Sequence, residues 1–82
     1  MIMTAEISMY PLQDDYRPLI TDFIRQLNTY SGLRIHTTAT ATMVVGEYST
    51  VMTMFSQMLA WSWETHGKAV FVTKFIPDYN PD

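Results

Sequence analysis

LRIHTTATATMVVGE, Leu33 to Glu47, is the stretch whose reading decides the fold. Ile35, Thr37, Thr38, Thr40, Thr42, Val44 and Val45 are residues that suit a pleated surface. The segment is long enough for two strands, with a turn placed near Ala39 to Ala41. No Asn-Gly or Asp-Gly marks that turn. Two strands here, between two helical patterns, mean a hairpin inserted between two helices.

Before the hairpin, Tyr16, Leu19, Ile20, Phe23, Ile24, Leu27 and Tyr30 recur at helical spacing and form one broad apolar stripe. Asp14 or Asp15 is the expected cap. Pro18 falls in the first turn, where backbone N–H groups have no intrahelical partner, and Ser31-Gly32 supplies the stop. After the hairpin, Ser49 is the expected N-cap of a second helix, which Gly67 ends. Val51, Met52, Phe55, Met58, Leu59, Ser62 and Trp63 trace its expected core stripe. Met54, Met58 and Trp61 form a second apolar stripe beside it, expected to serve an interface.

Strands close the pattern at both ends. From Ile2 to Tyr10, Met3, Ala5, Ile7 and Met9 alternate with Thr4, Glu6, Ser8 and Tyr10, a period of two that predicts one apolar and one polar face. Pro11, which has no N–H to donate, is expected to stop the ladder. Lys68 to Ile76 is the last strand. Residues 1–77 read as one domain, and 78–82 as a polar C-terminal tail that is not expected to pack. The order β-α-β-β-α-β is the split βαβ, ferredoxin-like arrangement. The fold class is therefore α+β, a four-stranded antiparallel sheet with both helices on one face. Its other face is solvated or covered by another subunit.

Composition narrows the function. With 82 residues, 48% hydrophobic and 16% charged, the chain is a small folded domain rather than a disordered one. Five Lys+Arg against eight Asp+Glu leave a net charge of -3, which offers no basic stripe for nucleic acid. There are no cysteines, so disulfides, thiolate nucleophiles and Cys-based metal sites are impossible. No apolar run approaches the ~20 residues of a membrane span. The N-terminus lacks the charged and apolar regions of a signal peptide, so the expected compartment is cytoplasmic.

Catalytic constellations are hard to assemble. Neither His36 nor His66 has a partner at i+4 for a helical metal pair. His66 reads as a cation at a helix C-terminus, and His36 as a residue of the sheet surface. Asp14 and Asp15 read as a cap and a first-turn carboxylate. Met3, Met9, Met52 and Met58 read as core, since flexible thioethers fill irregular gaps. No catalytic residue and no metal ligand is assigned. A ligand site would draw on the hydroxyls of Ser8, Thr38, Thr40 and Thr42, the charge of Glu6 and the ring of Tyr10. Such a set suits a small, flat, partly cationic heterocycle, provided the three threonines alternate onto one face. Threonines are also simply good strand residues.

Four stretches together carry a resemblance: AEISMYPL (Ala5 to Leu12), YRPLITDFIRQLN (Tyr16 to Asn28), GEYSTVM (Gly46 to Met52) and HGKAVFVTKFIP (His66 to Pro77). In this order and spacing the chain resembles the thiamine-binding, YkoF-like family of small ferredoxin-like proteins. The resemblance implies non-catalytic binding of thiamine or its hydroxymethylpyrimidine moiety, no further cofactor, and assembly through sheet faces into dimers or tetramers. Thr38 and Thr42 match threonines of the family's hairpin pattern, and Thr40 stands where the family carries methionine. Two other functions share this element order. One is an ACT-like regulatory or oligomerisation module. The other is a small dimeric α+β barrel enzyme, for which His36 and Tyr10 would be candidates.

Overall fold

The alternation at the N-terminus produces the central strand. A computed structural model describes residues 1–82, with β1 (Ile2–Pro11), α1 (Arg17–Leu27), β2 (Arg34–Thr37), β3 (Thr42–Glu47), α2 (Tyr48–His66) and β4 (Ala69–Pro77). The strands lie in the order β2-β3-β1-β4 and every neighbouring pair is antiparallel, the expected ferredoxin-like α+β arrangement. Met3, Ala5, Ile7 and Met9 of β1 are buried together with Phe23 and Leu27 of α1 and Val51, Met54, Phe55 and Met58 of α2. One core therefore lies between the sheet and both helices. Removing this apolar surface from water is what holds so small a domain together.

The helix ends depart from the sequence reading. α1 begins after Tyr16, which has helical dihedrals and no side-chain cap, so neither Asp14 nor Asp15 caps it. Pro18 does lie in the first turn. α2 starts at Tyr48 rather than after Ser49, because the Tyr48 amide bonds the Met1 carbonyl across the sheet edge at 2.9 Å. Tertiary pairing supplies the partner that a cap would have supplied. Gly67 closes α2 as expected, at a positive φ of 80 that glycine adopts without steric cost.

The buried side of α2 is also a correction. Val51, Met54, Phe55, Met58 and Ser62 are buried, whereas Met52, Leu59 and Trp63 are exposed. Met54, expected at an interface, is 0% exposed, and Trp61 packs against the core. Both stripes have helical period, and the helix is apolar over much of its circumference. Periodicity alone could not choose between two adjacent stripes.

Pro11 does not stop the ladder; it is the last residue of β1 and pairs with Ala69. The Met1 carbonyl is taken by Tyr48, which follows β3, and the Ile2 carbonyl by Tyr79, which follows β4. Odd-numbered residues of β1 thus turn their backbone groups toward β3 and even-numbered ones toward β4. The missing N–H of Pro11 belongs to the β3 side, so its β4 pairing loses nothing.

Residues 78–82 stay exposed, but specific bonds tie this tail to the sheet. The chain turns at Asp78, φ 57, and crosses the sheet face opposite the helices. The Thr4 hydroxyl donates to the Tyr79 carbonyl at 2.7 Å, and Arg34 forms an ion pair with Asp82. Thr4 and Val45, both on that face, are only 4% and 6% exposed as a result. Thr4→Val is expected to lower stability by about 1 kcal/mol, the usual net worth of one such hydrogen bond. A urea titration reads this as a lower midpoint at unchanged slope. An unmoved midpoint would mean that the tail adds nothing to stability.

Candidate ligand groove where β1 outruns β3

Ten residues of β1 face six of β3, and the mismatch opens a notch. The last β1–β3 pair is Ile7 with Thr42. Ser8, Met9, Tyr10 and Pro11 remain paired to β4 through Val72, Phe71, Val70 and Ala69. On their other side no strand continues. Met9 and Pro11 are the odd-numbered residues there and Pro11 has no N–H, so Met9 alone turns both an N–H and a C=O to the notch, and neither bonds to the turn opposite. One donor and one acceptor, side by side on a rigid strand, are left for a ligand or for water.

The β2–β3 turn forms the far wall. Thr38 organises it: its amide donates to the Ala41 carbonyl at 2.8 Å, and its hydroxyl donates to the same carbonyl at 3.1 Å. That hydroxyl also accepts from the Thr40 and Ala41 amides. A threonine closing its own turn in this way is a local alternative to strand pairing. The Ser8 hydroxyl, 3.0 Å from the Thr40 carbonyl, ties the turn to β1. The near wall is the first turn of α1, held over the sheet by Phe23 against Phe71, with ring centres 5.3 Å apart.

Between these walls lies a groove of about 420 Å³, lined by Ser8, Tyr10, Tyr16, Ile20 and Thr40 among others. No Asp, Glu, Lys, Arg or His contributes to it. A second cavity of about 90 Å³ lies deeper, between Ile7, Ile20, Phe23, Ile24 and the turn. Ser8, Met9, Ile20, Ala39 and Thr40 line both spaces.

The six candidate residues do not share one face. Ser8, Tyr10 and Thr40 meet at the groove, while Thr38 and Thr42 lie on the wall of the deeper cavity. The turn at Thr38–Ala41 breaks the alternation, so Thr42 points to the helix side, buried, with its hydroxyl 3.1 Å from that of Thr37. Glu6 lines neither space; its carboxylate is 3.4 Å from the Lys74 ammonium. Tyr16, Ile20 and the Met9 backbone were not foreseen. Tyr16 and Ile20 read as helix core from their spacing. The Met9 edge follows only from comparing strand lengths.

The histidines lie elsewhere. His36 is exposed on β2, and His66 Nε2 is 2.8 Å from Asp22 Oδ2, bridging the two helices. A larger open hollow of about 560 Å³ lies beside this bridge, between Arg17, Arg25 and His66. Asp22 already takes up both Arg25 and His66, and the walls are mostly polar. That hollow offers no apolar floor for a ring. No helix is long and apolar enough to cross a membrane.

Comparison with models of protein families gives no match, and comparison with curated proteins gives none either. Solved structures do match. A protein of Thermotoga maritima, described as a proposed thiamine biosynthesis/salvage protein, superposes with TM-score 0.82 at 20% identity, covering 98% of this chain and 85% of its own. A Streptococcus pneumoniae protein gives TM-score 0.85 at 20% identity, over 96% and 89% of the two chains. A domain of unknown function from Bacillus cereus gives 0.71 at 19% identity, over 99% and 78%. At these identities the likeness establishes the fold.

The turn that walls the groove depends on a single bond from β1. Ser8→Ala is expected to weaken the turn by about 1 kcal/mol, which hydrogen exchange reads as faster exchange at Thr38 to Thr42 with α2 unchanged. Equal exchange in both proteins would show that Ser8 does not hold the turn.

Proposed function

We propose that the protein binds a small, flat heteroaromatic ring in the groove without chemical turnover, and that the ligand is thiamine or its hydroxymethylpyrimidine moiety. The observation that carries this reading is the free Met9 edge. An aminopyrimidine presents a ring nitrogen beside an amino group, an acceptor next to a donor. Met9 N–H and C=O present the complement, as one strand does to another. Tyr10 and Tyr16 add π faces from two elements, each worth ~0.5–1.5 kcal/mol against an aromatic partner. The uncharged lining favours the neutral pyrimidine over the thiazolium, which would project toward solvent. The name given to the Thermotoga maritima neighbour points the same way.

Binding without turnover is the reading of the polar groups. The Ser8 hydroxyl spends its hydrogen on a carbonyl, and no histidine or carboxylate lines the groove to serve as its base.

Assembly with further copies of the chain is part of the proposal. β4 has no neighbour on its outer side, and Val70, Val72 and Ile76 lie exposed on its face. Natural proteins rarely leave a long apolar edge strand bare. The large apolar side chains exposed on α2 are Tyr48, Met52, Leu59 and Trp63 rather than Met54 and Met58, so any helix contact would use those. Light scattering at micromolar concentration is expected to report a dimer or larger. A monomer would remove this part of the reading.

Calorimetric titration tests the ligand. Hydroxymethylpyrimidine and thiamine are expected to bind, and a panel of amino acids is not. Tyr16→Ala is expected to weaken binding about two- to tenfold, and Glu6→Gln to leave hydroxymethylpyrimidine affinity unchanged. Binding of an amino acid in place of the pyrimidines would replace this reading with that of a regulatory module.

A further inference from the structure

The cavity behind the groove has a size and a chemistry of its own. At about 90 Å³ it is too small for a ring, since benzene occupies an engineered cavity of about 150 Å³. It has room for a methyl group, and Ile7, Ile20, Phe23 and Ile24 supply an apolar lining. Most hydroxyls around it are engaged, Thr38 within the turn, Ser8 with the Thr40 carbonyl and Thr37 with Thr42, and the free one, Thr40, stands where the cavity meets the groove. Once a ring has taken the Met9 edge, water there finds few of the two to four polar partners that hold a buried water. Displacing such poorly held water with an apolar group gains affinity.

We propose that this cavity receives one apolar, methyl-sized substituent of the bound ring and so selects among rings of the same hydrogen-bonding pattern. The proposal rests on the reading of the groove as a heteroaromatic site. It assigns two jobs to two compartments. The Met9 edge and the tyrosines hold the ring, and the cavity reads one of its substituents. Polar substituents are disfavoured because the one free hydroxyl, that of Thr40, stands at the mouth and the hydroxyls farther in are already paired, so their lost water is not replaced. Larger alkyl groups are rejected because close-packed side chains resist displacement.

The test compares 4-aminopyrimidine with its 2-, 5- and 6-methyl derivatives by calorimetry, on the wild-type chain and two variants. One methyl isomer is expected to bind about fourfold or more tighter than the parent ring, the value of burying one methyl group. Ala41→Leu fills the cavity from the turn and should abolish that gain while leaving the parent ring within about twofold. Should Ala41→Leu fail to fold, judged by circular dichroism, Ile24→Ala decides instead. It enlarges the cavity, so an ethyl group should then bind at least as well as methyl. A methyl gain that survives in Ala41→Leu, an ethyl group still rejected by Ile24→Ala, or no methyl gain at all overturns the proposal while the groove reading stands. If none of the pyrimidines binds, the groove reading itself fails.

Discussion

Everything here depends on β1 being paired on both sides for only part of its length. Its register with β3 runs from Ile2 with Glu47 to Ile7 with Thr42 and then stops, while its register with β4 continues to Pro11. The shared part builds the floor on which both helices pack. The unshared part leaves Met9 with a free peptide edge beside the first turn of α1. Stability and site therefore come from one strand, and a one-residue register slip would cost both. Such a slip would move Met3, Ala5, Ile7 and Met9 to the solvent face, so the core that holds the fold also holds the groove in place.

Much of this was legible in the amino-acid order. The alternation from Ile2 to Tyr10 names the buried side of β1 correctly, and the α1 stripe correctly names Phe23 and Leu27 as core. The β-rich stretch between the helices does form a hairpin, with its turn at Thr38–Ala41. What failed did so where a local pattern met a distant partner. The α2 start depends on the Met1 carbonyl, and the tail is held through Thr4 and Arg34, residues far away in sequence. No window of neighbouring residues contains those contacts.

The candidate site was half legible for a related reason. Ser8, Tyr10 and Thr40 do come together at one groove, because the end of β1 and the hairpin turn must lie close in this topology. Thr42 was misplaced because alternation was carried through a turn, which resets it. Glu6 was drawn in as a source of charge, yet the sheet sets Lys74 opposite it. Such exposed pairs contribute little stability. Here the consequence is placement: the nearest carboxylate on β1 is engaged across the sheet, and the groove stays uncharged.

The threonines of the hairpin now have a physical account that differs from a row of ligand hydroxyls. Thr38 closes the turn, and Thr37 and Thr42 satisfy one another at the edge of the core. Thr40 alone makes no side-chain hydrogen bond within the chain, and it stands at the mouth shared by groove and cavity. Its backbone carbonyl is held by Ser8, which fixes where its side chain begins. A turn anchored at both ends loses little entropy when a ligand settles against it, and this is what preorganisation means for a small site. The composition that first reads as strand-forming thus does two things. It builds a short hairpin that ends early enough to open the notch, and it stiffens the turn that walls it.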